Sequence, residues 1–400
     1  MDFLNAISVS FNNAVVLAIW FVVPIFLFAI YFQFRLVYKR MVFLNKTEWV
    51  ILRIKPPKDI IKTPKSMEQV FVSLYGMGAP SVDWLEKHLE GKVKLWISFE
   101  MIAHLGGIEF FVRCPKGNRN LVESAIYSQY PESEISQVQD YVLQFPKIMP
   151  NDIYDLWGTG LVLAKDDGYP IRTYGEFEEI KEEKRTDPLA PLIEALSKLS
   201  GDQMAWVHLM ISPAGSSLKK KGDNLIKKII DEKTGKDETS KQFGTFRLTV
   251  SDNDVIKAIN NKCNKSAFEF CLRFLYIDKK ETFNALNHSA IFGSFQQFNT
   301  QNLNSFKSDG KYKTGYGHWI GRIFPWYKKY QILKKKRILF DAFVKRKFGY
   351  TGRLGEEEIQ MMSAEELATV FHFPSVVVKV PKLQPIYSRK GEAPTNLPLE

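Results

Sequence analysis

Ala14 to Phe32 is an uninterrupted apolar run of 19 residues, and nothing else in the 400-residue chain matches it. At about 1.5 Å rise per residue, a helix of that length nearly crosses a hydrocarbon core of roughly 30 Å. A cleaved signal peptide is the rival reading. The sequence opposes it, because no base precedes the run, the core is too long, and no A-x-A site follows. Pro24 lies inside the run, where membrane helices tolerate it. Arg35, Lys39, Arg40 and Lys46 follow directly. Positive-inside bias therefore predicts a single-pass anchor over about residues 14–34, with the bulk of the chain in the cytoplasm.

The chain as a whole has a globular composition. With 45% hydrophobic residues, 30 Phe, 16 Tyr and 8 Trp, it can fill the cores of two or three domains. Cys114, Cys263 and Cys271 are widely spaced, which excludes a disulfide framework and fits a reducing compartment.

The element order predicts an α+β fold. Glu48–Ile54 reads as a strand, and Met67, Val70, Phe71 and Leu74 form a helical stripe. Val93 to Phe99 and Ile108 to Val112 alternate as a hairpin around Leu105-Gly106-Gly107. A helix over 118–129 and a strand over 134–138 complete a β-α-β-β-α-β order, the pattern of a ferredoxin-like sandwich. A second such sandwich is expected, with strands over 160–164, 171–174, 204–211 and 268–277. Its helices are expected after Asp187-Pro188 and over 281–298, with a helical insertion at 216–233 and 255–263. Met204–Ile211 is apolar on both faces and should be a covered central strand. Ser363-Ala364-Glu365-Glu366 is a capping box that opens a short helix ending near Phe371. The expected divisions are an anchor region (1–45), two ferredoxin-like domains (46–145 and 146–306), a basic aromatic segment (307–353), and a short helix with a Pro-rich tail (354–400).

Catalytic motifs are not found. The chain contains no G-x-x-x-x-G-K-[ST], H-E-x-x-H, C-x-x-C or G-x-S-x-G, and its six histidines do not stand at metal-ligand spacing. His208 and His372 read as hydrogen-bonded core residues. Gly315-x-Gly317 lacks the strand before it and the apolar helix after it that a dinucleotide loop needs. The expectation is a protein that is not an enzyme and binds no cofactor or metal.

The strongest physical signal is charge. From Lys307 to Arg353 there are 14 Lys/Arg against Asp309 and Asp341, so this block accounts for the chain's net charge of +11. Eleven aromatics are interleaved with the bases, including Trp319, Phe324, Trp326, Tyr327 and Tyr330. Bases with aromatics suit an anionic leaflet, where each Lys or Arg contributes about 1 kcal/mol and Trp/Tyr sit at the headgroups. They suit single-stranded nucleic acid as well, and a solvated helix face is the third reading. The anchor favours the membrane. Expected contacts are Arg35, Lys39, Arg40, Arg322, Trp326, Lys328, Lys329, Lys334, Lys335, Lys336, Arg337, Lys345, Arg346 and Lys347.

Three sets of phrases carry a family resemblance. The first is Ser98-Phe99-Glu100 with Gly106-Gly107-Ile108-Glu109-Phe110, Ile126-Tyr127-Ser128-Gln129-Tyr130-Pro131 and Asp140-Tyr141. The second is Asp187-Pro188-Leu189-Ala190-Pro191-Leu192 with Ala205-Trp206-Val207-His208. The third is Glu366-Leu367-Ala368-Thr369 through His372-Phe373-Pro374, with Arg389-Lys390 to Pro398. Together they resemble the amino-terminal, non-ATPase region of bacterial membrane-anchored proteins related to type IV secretion and conjugative coupling ATPases, a domain of unknown function. That resemblance implies a non-catalytic inner-membrane component that docks a partner P-loop ATPase or another secretion subunit. The alternative is a membrane-tethered module that guides DNA.

Overall fold

The structure is a computed structural model. It describes residues 2–57, 62–78, 85–177, 187–234, 249–310, 312–315, 317, 319–348 and 359–374, with side chains of the first helix described from Trp20 onward. The Pro-rich tail, Tyr316, His318, Tyr350, Lys311, Arg353 and the acidic clusters at 178–183 and 356–358 lie outside the described residues. The rest falls into two compact units.

The first unit is built on helix α1 (Asp2–Lys46), which runs through Pro24 without a break. From Trp20 it is long and apolar enough to cross a membrane, and little of that stretch is covered by other described residues. Trp20, Phe21, Ile25, Phe26 and Phe28 are all exposed. The other part of this unit is the segment 85–95, whose one helical turn spans Glu86–Glu90.

The second unit holds the globular fold. Its first half contains β1 (Trp49–Lys55), α2 (Pro64–Leu74), β2 (Ile97–His104), β3 (Gly107–Pro115), α3 (Arg119–Gln129) and β4 (Glu134–Val138). Its second half begins with β5 (Tyr154–Leu163), α4 (Ala190–Ser197) and β6 (Met204–Pro213), followed by α5 (Ser217–Thr234) and α6 (Val250–Cys263). It continues through β7 (Ala267–Lys279), α7 (Ala285–Ser294), β8 (Phe306–Ser308), α8 (Ile320–Ile323) and α9 (Pro325–Val344), and closes with β9 (Met361–Ser363) and α10 (Ala364–Val370).

All nine strands among the described residues join one antiparallel sheet in the order β4-β1-β3-β2-β6-β7-β5-β8, with β9 added beside β7. The same connectivity occurs twice: β4-β1-β3-β2 in the first half, and its mirror β6-β7-β5-β8 in the second. The halves meet where β2 pairs with β6, from Ile97↔Ile211 to Ala103↔Ala205. The expected boundary between residues 145 and 146 therefore does not separate compact units. Both strands are buried almost throughout, so each completes the open edge of the other. Met204–Ile211 is the covered central strand that its two apolar faces demand.

One sheet face is covered by α2, α3, α4, α7 and α10, around Phe71, Phe99, Phe110, Leu192, Phe274, Phe295 and Leu367. The opposite face is covered by the C-terminal part of α9 and the segment 141–149, around Phe111, Tyr141, Trp206, Leu275, Leu339 and Phe343. Gly158 on β5 permits that second layer. A Cβ there would lie 2.8 Å from Leu339 Cδ2 and 2.5 Å from the Phe274 carbonyl oxygen.

One further expectation is corrected. Residues 171–173 do not form a strand but an irregular segment, with Arg172 N–H bonded to Phe298 O. Residues 361–374, which hold the expected short helix, are nearly all buried. β9 extends the sheet, and the Gln360 side-chain amide bridges to it by donating to and accepting from the Leu163 backbone. The capping box at Ser363 and Glu366 forms as the sequence requires.

Candidate functional site

Helix α9 presents two different faces. Its inner stripe is Ile332, Lys336, Leu339 and Phe343, spaced by four, three and four residues as a packed helix face requires. Leu339 and Phe343 are buried, and Lys336 is drawn inward by Asp155, 2.6 Å from its Nζ. The outer stripe repeats that spacing in Trp326, Tyr330, Leu333 and Arg337. Trp326 is 69% exposed and Tyr330 56%, with Ile338 and, before the helix, Trp319, Ile323 and Phe324 exposed as well. An ordinary solvated face would be polar there. This one combines exposed aromatic and aliphatic side chains with the exposed bases Arg322, Lys328, Lys329, Lys334 and Arg337.

The remaining expected contacts divide. Lys335 Nζ donates to the backbone oxygens of Gly310 and Gly315. Lys345 and Lys347 both pair with Asp341. On α1, Arg35, Lys39 and Arg40 are half-buried, and Arg35 Nη1 donates to His88 O.

Arg346 is the clear correction. It is 1% exposed and so does not belong to any surface patch. The chain turns back at this residue, which has φ +45°, a left-handed conformation that favours glycine. Arg346 N–H bonds Phe343 O and Lys347 N–H bonds Ala342 O, the paired bonds of a Schellman helix end. A non-glycine residue costs on the order of 1 kcal/mol in this conformation. The guanidinium offsets that cost. Nε and Nη2 donate to the two oxygens of Glu100 at 3.1 and 3.2 Å, and Nη1 and Nη2 donate to the two oxygens of Asp140 at 2.7 and 2.9 Å. Nη1 also donates to Val344 O, so every donor is used.

Glu100 lies on the seam of the two half-sheets. The register places Glu100 opposite His208 and His208 opposite Arg273, one row across β2, β6 and β7. Tyr141 OH donates to Glu100 Oε2 at 2.7 Å and lies 2.7 Å from His208 Nε2. With the phenol donating to the carboxylate, His208 must be the Nε2–H tautomer, which leaves Nδ1 as a bare acceptor without a partner. Arg273 Nη2 donates to Ala342 O and Lys347 O and so caps the C-terminal carbonyls of α9. Two arginines and two carboxylates thus fasten the end of α9 across the seam.

Electrostatics follow from burial. Desolvation opposes ionisation of Glu100, but the Arg346 charge and hydrogen bonds prevail and hold its carboxyl down to about 2. Burial pushes His208 down to about 3, only partly offset by Glu100, so its imidazole is neutral. Burial lowers Arg346 too, but Glu100 and Tyr141 outweigh it and raise it well above its ordinary value. Glu100 and His208 have no exposed surface, so this cluster is a buried lock between the sheet and the end of α9.

The lock makes stability pH-dependent. Below 6.5 the unfolded chain binds a proton at His208 that the native chain refuses, so stability falls as pH drops from 6.5 towards about 3. Glu100 adds the same trend only below 4.5. The expected slope from His208 is about 1.4 kcal/mol per pH unit. Denaturant titrations of the full chain in detergent check this: His208→Gln should show a much shallower slope between 6.5 and 4.5 than the wild type, the remainder coming from His288, which burial also lowers.

Of this site, α9's basic and aromatic character is visible in the sequence. The lock is not, because its members lie up to 246 residues apart and no local signal marks Arg346 as a helix end. The family comparison matches residues 40–384 to a family described as "Domain of unknown function (DUF8128)". No curated protein matches the chain.

Proposed function

The chain belongs to the DUF8128 family of unknown function, and from that premise we propose a non-catalytic, membrane-tethered scaffold whose helix α9 lies on an anionic bilayer surface. The observation that carries this reading is the outer face of α9, with Trp326, Tyr330, Leu333 and Ile338 exposed among exposed bases. Trp and Tyr suit the headgroup level, aliphatic side chains the acyl boundary, and Lys and Arg the anionic lipids. Helix α1 supplies the tether as a single-pass anchor. The matching strand orders of the two half-sheets support their reading as ferredoxin-like units fused edge to edge, the second with α5 and α6 inserted.

The partner part of the proposal rests on the resemblance to the amino-terminal region of coupling-type ATPases. It is a P-loop ATPase or another secretion-system subunit, docked at the cytoplasmic face of a bacterial inner membrane. Affinity purification from native membranes should recover such a subunit, and consistent recovery of none would remove this part.

The lipid reading is tested by hydrogen exchange on the full chain in nanodiscs. Residues 319–338 should exchange more slowly in anionic than in zwitterionic discs, and the difference should disappear in high salt. Equal exchange in both discs would defeat it. Protection that appears in zwitterionic discs only when DNA is added would establish the nucleic-acid alternative instead.

A further inference from the structure

The geometry of the first unit points to a second lipid contact, distinct from α9. We propose that the turn Glu86–Glu90, with Leu85 before it, is an interfacial foot that rests in the headgroup layer beside α1. The inference rests on the reading of α1 as a bilayer-spanning helix.

Three contacts fix where the segment meets α1. The His88 ring lies 6.2 Å from the Phe32 ring with only 17° between their planes. Arg35 Nη1 donates to His88 O at 3.4 Å. Gly91, with φ +70°, crosses the helix backbone so closely that a Cβ would stand 2.5 Å from Lys39 C and 2.6 Å from Arg40 N. The segment therefore climbs α1 as it runs backwards from Gly91, passing from the level of Lys39 and Arg40 to the level of Phe32.

That level is decisive. Phe32 closes the apolar run and Arg35 is the first base after it, so the two residues bracket the boundary between acyl chains and headgroups. At this height Leu85 is 53% exposed and Leu89 47% exposed, whereas Leu36 and Val93 are buried. Glu86 and Glu90, which an anionic leaflet would repel, are both paired with Lys92 at 2.8 and 3.1 Å. The turn thus offers lipid two leucines and a neutralised polar rim, the arrangement of an interfacial segment.

The test uses the full chain in nanodiscs, with the native cysteines replaced and single labels introduced through Leu85→Cys, Leu89→Cys, Ile25→Cys and Ser73→Cys. Each carries the environment-sensitive fluorophore NBD, and quenching is read with lipids bearing a spin label near the headgroup or near the chain end. The expected result is strong quenching at 85 and 89 by the shallow label, at 25 by the deep label, and at 73 by neither. Labels at 85 and 89 that behave like 73 while 25 is quenched overturn the foot and leave the anchor standing. A blue-shifted but unquenched label at 85 or 89 also overturns it, because protein and not lipid then covers the turn. An unquenched label at 25 removes the anchor reading and this inference with it.

Discussion

Replacing Arg346 with methionine is expected to destabilise the folded chain by about 3–5 kcal/mol, the range for breaking a buried ion pair by removing one partner. The cost arises less from the lost attraction than from what remains. Glu100 is fully buried, and without the guanidinium its carboxylate keeps Tyr141 OH as a donor but no charged hydrogen-bond partner among the described residues. Asp140 is partly exposed and can be rehydrated, so the penalty falls mainly on Glu100. Arg346→Lys keeps the charge but lacks the planar fork that reaches both carboxylates, and should recover only part of the loss. Adding Glu100→Gln to Arg346→Met should also recover part, because the stranded charge is gone. Chemical denaturation in detergent reads all of these. A wild-type midpoint for Arg346→Met would show that the lock contributes nothing.

The second large effect is expected at the far end of the described chain. Ending the protein at Gln360 should abolish cooperative folding, although it leaves eight of the nine strands intact. The segment it removes fills the first half's core. The Phe371 ring lies 5.4 Å from that of Phe99, and the Phe373 ring 5.3 Å from Phe110 and 5.0 Å from Tyr130. Its polar groups are equally committed. Glu366 pairs with the buried Lys262 at 3.0 Å and accepts Ile171 N–H, while His372 Nε2 lies 2.9 Å from Asp187 Oδ1. Deletion would strand Lys262, whose remaining contact is a bond to Tyr169 O. The milder Phe371→Ala should cost about 3–5 kcal/mol, as cavity formation at a buried aromatic does. Both changes are measured by thermal unfolding, and a truncated chain with an unchanged transition would contradict the role given to this segment.

Much of the fold is legible from local pattern. Alternation in β3, the doubly apolar run of β6, the stripe of α2 and the capping box of α10 depend on neighbours within a few residues, and those elements lie where the pattern puts them. What escapes is long-range pairing. Nothing in Ile97–His104 says that its second edge pairs with Met204–Pro213 rather than with solvent, so local pattern predicts two separate halves where one sheet exists. Charge counting likewise treats all bases alike. It cannot separate Lys334, which is exposed, from Lys336, which is paired, or from Arg346, which is buried. The distinction depends on which acids the sheet brings near, and Asp155, Glu100 and Asp140 are remote in the chain.

Helix α9 is about 30 Å long at 1.5 Å per residue, and it is held mainly at one end. Its last two turns are sealed against the sheet and fastened by Arg273 and Arg346, while most of its first three turns stand clear of the core. Mechanically it is a cantilever. A load applied near Trp326 would pass along the helix, beyond the Lys336–Asp155 pair, to the end where Arg346 meets Glu100 beside the joint of the two half-sheets. The strength of that clamp sets how much force the free end can bear before the seam opens.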